Sequence, residues 1–584
     1  MRTIILIIFF TYSILAQGGN PIRNIFMQGN NINTVFRTDG IFNFDWVSFY
    51  PDKKAGFVWP VSSSIRMTAA YATGIWIAAK VGPQRELRAA GSWFWSYFTP
   101  GNIPVVGQVP PPSVCNDTSW KGYFVQLTDP SLVSGGTRIK TAGGRQYTFN
   151  YDSWVNWPVQ KGAPYVEVNN IPGYQPGWNS DRPGIGNGSR ARPEELLYMV
   201  YMDYTNCTNN IHSLETSQPG GTLPLGAELH QLSFVFNCPA LKDMYFIKYK
   251  IINKSLFIWD STFITLVNDA DIGDGACGAG DDAGGCDIIR NLAFTYNSDN
   301  QDCNYGINPP AIGTRLLQSP LRYTGSSNDT ARLPYDTLIG YKLIGMSSFI
   351  RFTNTPADPC LNIPNDAITA YNFMKGIDGC GRNILNPFNL NPTTFMYTGD
   401  ACNRIGWFDS LSGDRRNFQS SGPFTMNSGD TQIVVLSFTI TRDGGNNFQN
   451  VCALQSLSDS ALKYYYNDFQ TCIPIGIQPI SSEVPDRFML YQNYPNPFNP
   501  STKIKFALPP SLKGEGKDAP MVRQGVRVII YDILGREIST LVNEELKPGT
   551  YEVEWLAENY PSGVYFYTIT FNNFFESKRM VLLK

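Results

Sequence analysis

The sequence predicts a mainly β protein: a multidomain, β-sandwich-like body followed by a small antiparallel β-sandwich at the C-terminus. Three observations carry that prediction. Charged residues make up only 16% of the 584 positions and aromatic residues 14%, with 52 glycines and 40 prolines between them. This composition favours strands and turns over helical bundles. Short β-branched and aromatic runs alternate with Gly, Pro and Asn turns, most regularly after residue 488. The chain is also longer than one hydrophobic core supports. Its net charge of -2 provides no basic field, so a nucleic-acid partner is not expected.

At the N-terminus, Met1-Arg2 precedes an apolar run from Ile4 to Phe10 that resumes after Thr-Tyr-Ser and ends at Ala16. Residues 1–16 read as a Sec signal peptide cleaved near Ala16, with no lipobox cysteine behind it. The run is shorter than the roughly 20 residues of a spanning helix. No other segment approaches that length, so no transmembrane span is expected in the mature chain.

Residues 17–240 form the expected N-terminal β-rich body. Its aromatic stretch holds Gly56-Phe-Val-Trp-Pro60, Gly74-Ile-Trp-Ile77 and Trp93-Phe-Trp95, punctuated by Gly and Pro. These segments read as strands and corners of a sandwich core; the other reading is a platform of exposed rings for stacking sugars. Gly162-Ala-Pro-Tyr165, Asp181-Arg-Pro-Gly184 and Tyr201-Met-Asp203 mark a loop-rich middle, and strands resume at Leu232–Phe236. Residues 241–473 form the second β-rich region. Tyr245–Ile252, Phe263–Val267 and Gln432–Thr441 read as strands, with Ser421-Gly-Pro-Phe-Thr425 and Gly429-Asp430 turning into the last. Val451, Leu454, Leu457 and Leu462 give the segment 447–469 helical spacing. Residues 474–487, containing Pro and Ser, read as a linker to the domain at 488–584.

From the end of Phe263–Val267 through Cys286-Asp287 runs the one constellation with chemical content. Asp269, Asp271, Asp274, Asp281, Asp282 and Asp287 are interspersed with glycines directly after a β run. Hard divalent cations need several convergent oxygen ligands, and Ca2+ takes six to eight; a glycine-rich loop lets the backbone turn carboxylates inward. Without an ion, so many like charges repel one another. The pattern is not an EF-hand: Gly273 stands at the third ligand position, Asp274 at the glycine position, and no glutamate closes the loop. A structural Ca2+ site is the leading expectation, beside a solvated acidic loop and a catalytic carboxylate pair.

Eleven cysteines suit a secreted chain with several disulfides and one thiol left over. Cys360 with Cys380, Cys452 with Cys472 and Cys277 with Cys286 are the local pairs that spacing suggests. Signals for catalysis are sparse. His212 and His230 are the only histidines, which excludes an HExxH zinc site, and neither adjoins a nucleophile motif. No Gly-x-Ser-x-Gly elbow, P-loop or dinucleotide fingerprint is present. A glycosidase needs only two suitably spaced carboxylates, and Glu194, Glu195, Glu228 and Asp203 are candidates besides the acidic loop.

The C-terminal segment carries the most specific motifs. They are Asn493-Tyr-Pro-Asn-Pro-Phe498, Tyr531-Asp-Ile-Leu-Gly-Arg536, Gly549-Thr-Tyr551, Trp555, Ser562-Gly-Val-Tyr-Phe566 and Lys578-Arg-Met-Val-Leu-Leu-Lys584. Strands are expected at Thr502–Leu508, Val526–Tyr531, Tyr551–Trp555 and Val564–Phe571. The prolines of 493–500 should make an extended entry to the first strand. Residues 488–584 resemble the type A sorting domain of type IX secretion cargo, the outer-membrane export route of Bacteroidetes and their relatives. The resemblance implies an Ig-like sandwich, engagement of the type IX machinery through 488–584, and delivery to the outer-membrane surface or the medium. The polar insert Pro509–Gly525 departs from the usual tight turn; lengthening a loop costs little. The body is similar to N-terminal regions of other type IX cargo, a likeness that brings no activity with it. The resulting expectation is a structural, adhesive or glycan-binding surface protein stabilised by Ca2+ and disulfides. A secreted polysaccharide hydrolase is the alternative, and a scaffold for a surface complex a third reading.

Overall fold

β-branched and aromatic runs build two large antiparallel sheets in the body and two small ones at the C-terminus. The structure, a computed structural model, describes residues 24–583 apart from 46–54, 64–65, 94–95, 127–136, 143–144, 151–155, 168–173, 177–192, 209, 211–220, 274–279, 335, 355, 467–468, 470–477, 482–484, 486, 500, 510–523, 547, 558–559 and 572–573. The expected signal peptide at 1–16, Asp181–Gly184, His212, Asp274, Cys277 and most of the polar insert lie outside the described residues.

In chain order the principal body elements begin with β1 (Ala72–Val81), β2 (Glu86–Gly91), β3 (Thr99–Pro100) and β4 (Tyr123–Gln126). Next come β5 (Glu195–Met202), β6 (Ala227–Val235), β7 (Met244–Asn253), β8 (Trp259–Asp269), β9 (Asp282–Asp287), β10 (Leu292–Asn297) and β11 (Ala311–Gln318). They end with β12 (Ser348–Phe352), α1 (Ala367–Lys375), β13 (Arg416–Met426), β14 (Thr431–Thr441) and α2 (Asn447–Tyr466). One sheet has the order β9-β10-β11-β14-β7-β6-β5-β3, with β4 also on β5; the other has the order β12-β13-β8-β1-β2. Residues from both sheets, including Ile75, Ile77, Leu197, Leu229, Tyr245, Ile247, Leu266, Phe418, Leu436 and Phe438, share one hydrophobic core. That is a sandwich, with side chains alternating between core and outer face.

Two of the expected body regions are one compact unit here. The expected border at 240/241 falls between β6 and β7, which pair along most of their length. The connection there is a hairpin between paired strands, not a domain boundary. The Trp segments are core: Trp59, Trp76 and Trp93 are buried, and Trp76 packs edge-on against Phe418 at 5.3 Å. Each such ring stabilises the fold by about 1.5–3 kcal/mol. A Cβ at Gly91 would sit 2.7 Å from the Trp76 ring, so only glycine admits the indole.

Ser421–Thr425 lies inside β13 rather than in a turn. The tight turn is Asn427–Asp430, with Gly429 at φ 84°. Helix α2 ends at Tyr466, and its buried Val451, Leu454, Ser458, Ala461 and Tyr465 follow the 3.6-residue repeat. α1 carried no sequence expectation; Asp366 caps it by accepting from the Thr369 N–H at 2.7 Å, and Gly376 ends it at φ 82°.

Cys360 pairs with Cys380 as expected. Cys452 instead pairs with Cys402, so the expected Cys452–Cys472 bridge does not form. Cys115 and Cys207 pair across 92 residues. Cys238 and Cys303 are also disulfide-bonded. Cys286 is a free, buried thiol donating to the Met396 carbonyl at 3.4 Å, so the expected Cys277–Cys286 bridge does not form.

The second compact unit takes in residues from Cys472 onward with Asn237–Pro239. Its strands are β15 (Gln478–Ser481), β16 (Met489–Leu490), β17 (Ser501–Leu508), β18 (Gln524–Tyr531), β19 (Glu537–Leu546), β20 (Gly549–Leu556), β21 (Gly563–Phe571) and β22 (Phe574–Leu582). They form two four-stranded sheets, β15-β20-β17-β16 and β19-β18-β21-β22, around Ile504, Phe506, Val528, Ile530, Trp555, Tyr567 and Ile569. Part of the expected linker is therefore strand β15.

The motifs hold this sandwich together. The Asn493 amide donates to Thr502 Oγ1 at 2.9 Å and to the Pro495 carbonyl at 3.1 Å, and its backbone N–H donates to the Tyr567 hydroxyl at 2.9 Å. Phe498 packs on Trp555 at 5.5 Å, while its backbone pairs with Val581 and Leu583. The N-terminal motif thus pins the terminal strand.

Candidate metal centre

β8 is the middle strand of the five-stranded sheet, and Asp269 is its last residue, opposite Ala72 of β1 and Arg416 of β13. Asp271 follows just past the strand end, flanked by buried Ala270 and Ile272. Asp282 opens β9, and its carbonyl accepts from the Gly413 N–H at 3.2 Å. That contact fixes the segment leading through Asp414 into β13 beside the acidic loop. One carboxylate oxygen from each of Asp269, Asp271 and Asp414 falls within 4.8 Å of the others. Asp269, Asp271 and Asp282 are 1%, 7% and 0% exposed.

Arg416 is the counter-charge in the cluster. Its Nε lies 3.2 Å from Asp269 Oδ2, and its Nη2 2.9 Å from Asp414 Oδ2. Asn354 also donates to Asp414 Oδ2 at 3.1 Å. The Ile272 N–H reaches Asp282 Oδ2 at 3.4 Å. Oδ1 of Asp269, Asp271, Asp282 and Asp414 remains buried without a hydrogen-bond partner. Three carboxylates, Asp269, Asp271 and Asp414, face one guanidinium, and buried oxygens without partners are costly.

The electrostatics follow from that imbalance. Burial raises Asp269 to about 7, although Arg416 opposes the shift. Burial, then the charges of Asp269 and Asp414, hold Asp271 well above the usual carboxylate range. Burial, then Asp271 and Asp281, do the same for Asp282. A hard cation reverses this logic by favouring the ionised carboxylates, and an all-oxygen donor set suits Ca2+ or Mg2+ rather than zinc or copper. The residues present therefore fit such an ion, with Asp269, Asp271 and Asp414 as the nearest donors and Asp282 beside them.

The sequence-predicted set divides. Asp269 and Asp271 converge, and Asp282 adjoins them. Asp281 accepts from the Asn297 amide at 2.9 Å, and its Oδ1 is buried without a partner. Asp274 lies outside the described residues. Asp287 does not belong: at the far end of β9, about 17 Å along the strand, it pairs with Arg290 at 2.7 Å and accepts from Gln455 at 3.1 Å. Sequence reasoning missed Asp414, whose only local signal is the charged run Asp414-Arg415-Arg416. Cys360, Asp378 and Cys380 also cluster, but both sulfurs are consumed in a disulfide and Asp378 holds Arg382 at 2.6 Å.

The glycosidase candidates are tied into the fold. Asp203 is buried, accepts from the Leu225, Gly226 and Ala227 N–H groups at 2.5–3.0 Å, and is raised by burial to about 7. Glu195 is buried and accepts from the Gln28 N–H at 2.8 Å; Glu194 accepts from the Gln126 amide. Glu228 accepts from the Ile103 N–H at 2.6 Å and bonds His230 at 2.9 Å, whose other ring nitrogen meets the Tyr198 hydroxyl at 2.6 Å. Each stabilises a turn or strand connection.

Residues 492–583 match the secretion system C-terminal sorting domain family, over strands β17–β22 and their motifs. The chain therefore carries a type IX secretion sorting domain and is exported through that machinery to the cell surface or the medium. No curated protein matches the chain. Among the described residues, no helix is long and apolar enough to cross a membrane.

Proposed function

We propose that the exported body acts at the cell surface as a structural and adhesive, glycan-binding module whose sandwich edge is closed by one Ca2+ ion. The observation that supports the ion-closed module is the convergence of Asp269, Asp271 and Asp414, with Asp282 alongside, presenting partnerless buried oxygens. Asp269 ends β8, Asp271 follows it and Asp414 leads into β13, so an ion there ties the ends of two neighbouring strands of one sheet. The hydrolase alternative draws no comparable support, because its candidate carboxylates are committed to backbone donors and ion pairs.

Thermal unfolding of the purified chain in EDTA and then in millimolar Ca2+ tests the proposal. An ion present at a hundredfold its dissociation constant adds about 2.7 kcal/mol. The midpoint should therefore rise by several degrees, and Asp271→Asn should abolish the rise. An unchanged midpoint in the parent protein would overturn it.

A further inference from the structure

A hairpin finger rises after β11, in which Leu321–Tyr323 pairs with Tyr341–Leu343 and Thr330–Arg332 with Thr337–Ile339. Gln432 of β14 clamps its root by accepting from the Leu321 N–H at 2.9 Å and donating to the Leu321 carbonyl at 3.0 Å. Between the finger, the β13–β14 turn and the bulge at Asp260-Ser261 runs an open groove of about 760 Å³.

Tyr323 stands in this groove 70% exposed. The Tyr341 ring supports it at 5.1 Å, inclined by 58°. Gly325 and Gly340, at φ 68° and 82°, bring backbone to the Tyr323 ring, where a Cβ would sit 3.5 Å away. The ring is thus held in place rather than left to swing.

Around it are polar groups with spare hydrogen-bonding capacity. The Arg322 guanidinium, the Tyr323 hydroxyl, the Thr425 and Thr431 hydroxyls and one oxygen of Asp430 make no hydrogen bond with the described chain. The other Asp430 oxygen accepts from the Asn427 N–H and amide at 2.7 and 3.0 Å. Asp260 is already paired with Arg85. The groove therefore offers one fixed aromatic face, donors and acceptors of both kinds, and nearly balanced charge.

We propose that this groove binds a neutral polysaccharide. The C–H face of a pyranose ring packs on an exposed aromatic face, as apolar groups do, while its hydroxyls both donate and accept, which Arg322, Thr425, Thr431 and Asp430 can answer. Charge balance disfavours uronate or sulfate polymers, which need an excess of Arg or Lys. The site deepens the adhesive reading above and rests on it, but it does not use the metal centre.

The test is affinity electrophoresis of the full chain in Ca2+ through gels containing laminarin, hydroxyethylcellulose, galactomannan or arabinoxylan, with polygalacturonate as the anionic control. At least one neutral polymer should retard the protein. Tyr323→Ala should weaken that retardation at least tenfold at an unchanged unfolding midpoint, and Tyr323→Trp should preserve it. Retardation by none of the neutral polymers, by polygalacturonate alone, or equally in Tyr323→Ala would overturn the site. A Ca2+-dependent midpoint that survives such a result separates failure of the groove from failure of the ion-stabilised module.

Discussion

Asp269 and Asp271 show what burial does to a carboxylate whose neighbours carry the same charge. Their protons are held more tightly in the folded chain than in the unfolded one, where an aspartate titrates near 3.9. For Asp269 the contribution to stability is complete below about pH 4 and is lost as pH rises towards about 7. In EDTA, the urea midpoint should therefore be lower at pH 8 than at pH 5. Ca2+ should reverse the trend, because binding requires the ionised carboxylates and releases their protons. A midpoint that is flat with pH in both conditions would remove the electrostatic basis of the site. Asp271→Asn should separate the two roles: in EDTA at pH 8 it relieves repulsion and stabilises by about 1 kcal/mol or more, while the Ca2+ response disappears.

At the scale of elements, the C-terminal strands were legible because each motif does local structural work. Asn493 bonds Thr502, Pro495 and Tyr567, and Asp532 accepts from the Leu534 and Arg536 N–H groups at 2.9 Å, closing a turn in which Gly535 has φ 76°. Asn493→Ala leaves buried partners unsatisfied and should cost the sorting domain about 2 kcal/mol or more, read as a lower urea midpoint. A midpoint equal to the parent's would show that the motif does not hold the fold. The acidic loop was half legible. A glycine-rich run of aspartates after a β strand signals Asp269 and Asp271, whereas Asp414 is marked only by the short charged run Asp414-Arg415-Arg416, far from them in sequence. Only the pairing of β8 with β13, which sets Asp269 opposite Arg416, carries it into the cluster. Spacing likewise misled for Cys452, since a helix separates residues that sequence proximity suggests are neighbours.

The whole molecule divides its tasks between two compact units, a body of two sheets around one core and a C-terminal sandwich that directs export. The body's division at 240/241 was not visible as a hairpin because β6 and β7 are each long, apolar and bounded by turn residues, as domain-edge strands also are. Removing 488–584 should block secretion while leaving the purified body folded, with the Ca2+ response of the full chain. Loss of that response in the truncated body would show that the ion site depends on the second unit.

The most direct test is Ca2+ binding by isothermal titration calorimetry to the parent protein and to the Asp414→Asn and Asp287→Asn variants. One ion per chain, bound by the parent and by Asp287→Asn but lost in Asp414→Asn, is the expected result, because the fold recruits Asp414 and leaves Asp287 to Arg290. A parent that binds no Ca2+, or an Asp414→Asn variant that binds it as well as the parent, would contradict the account.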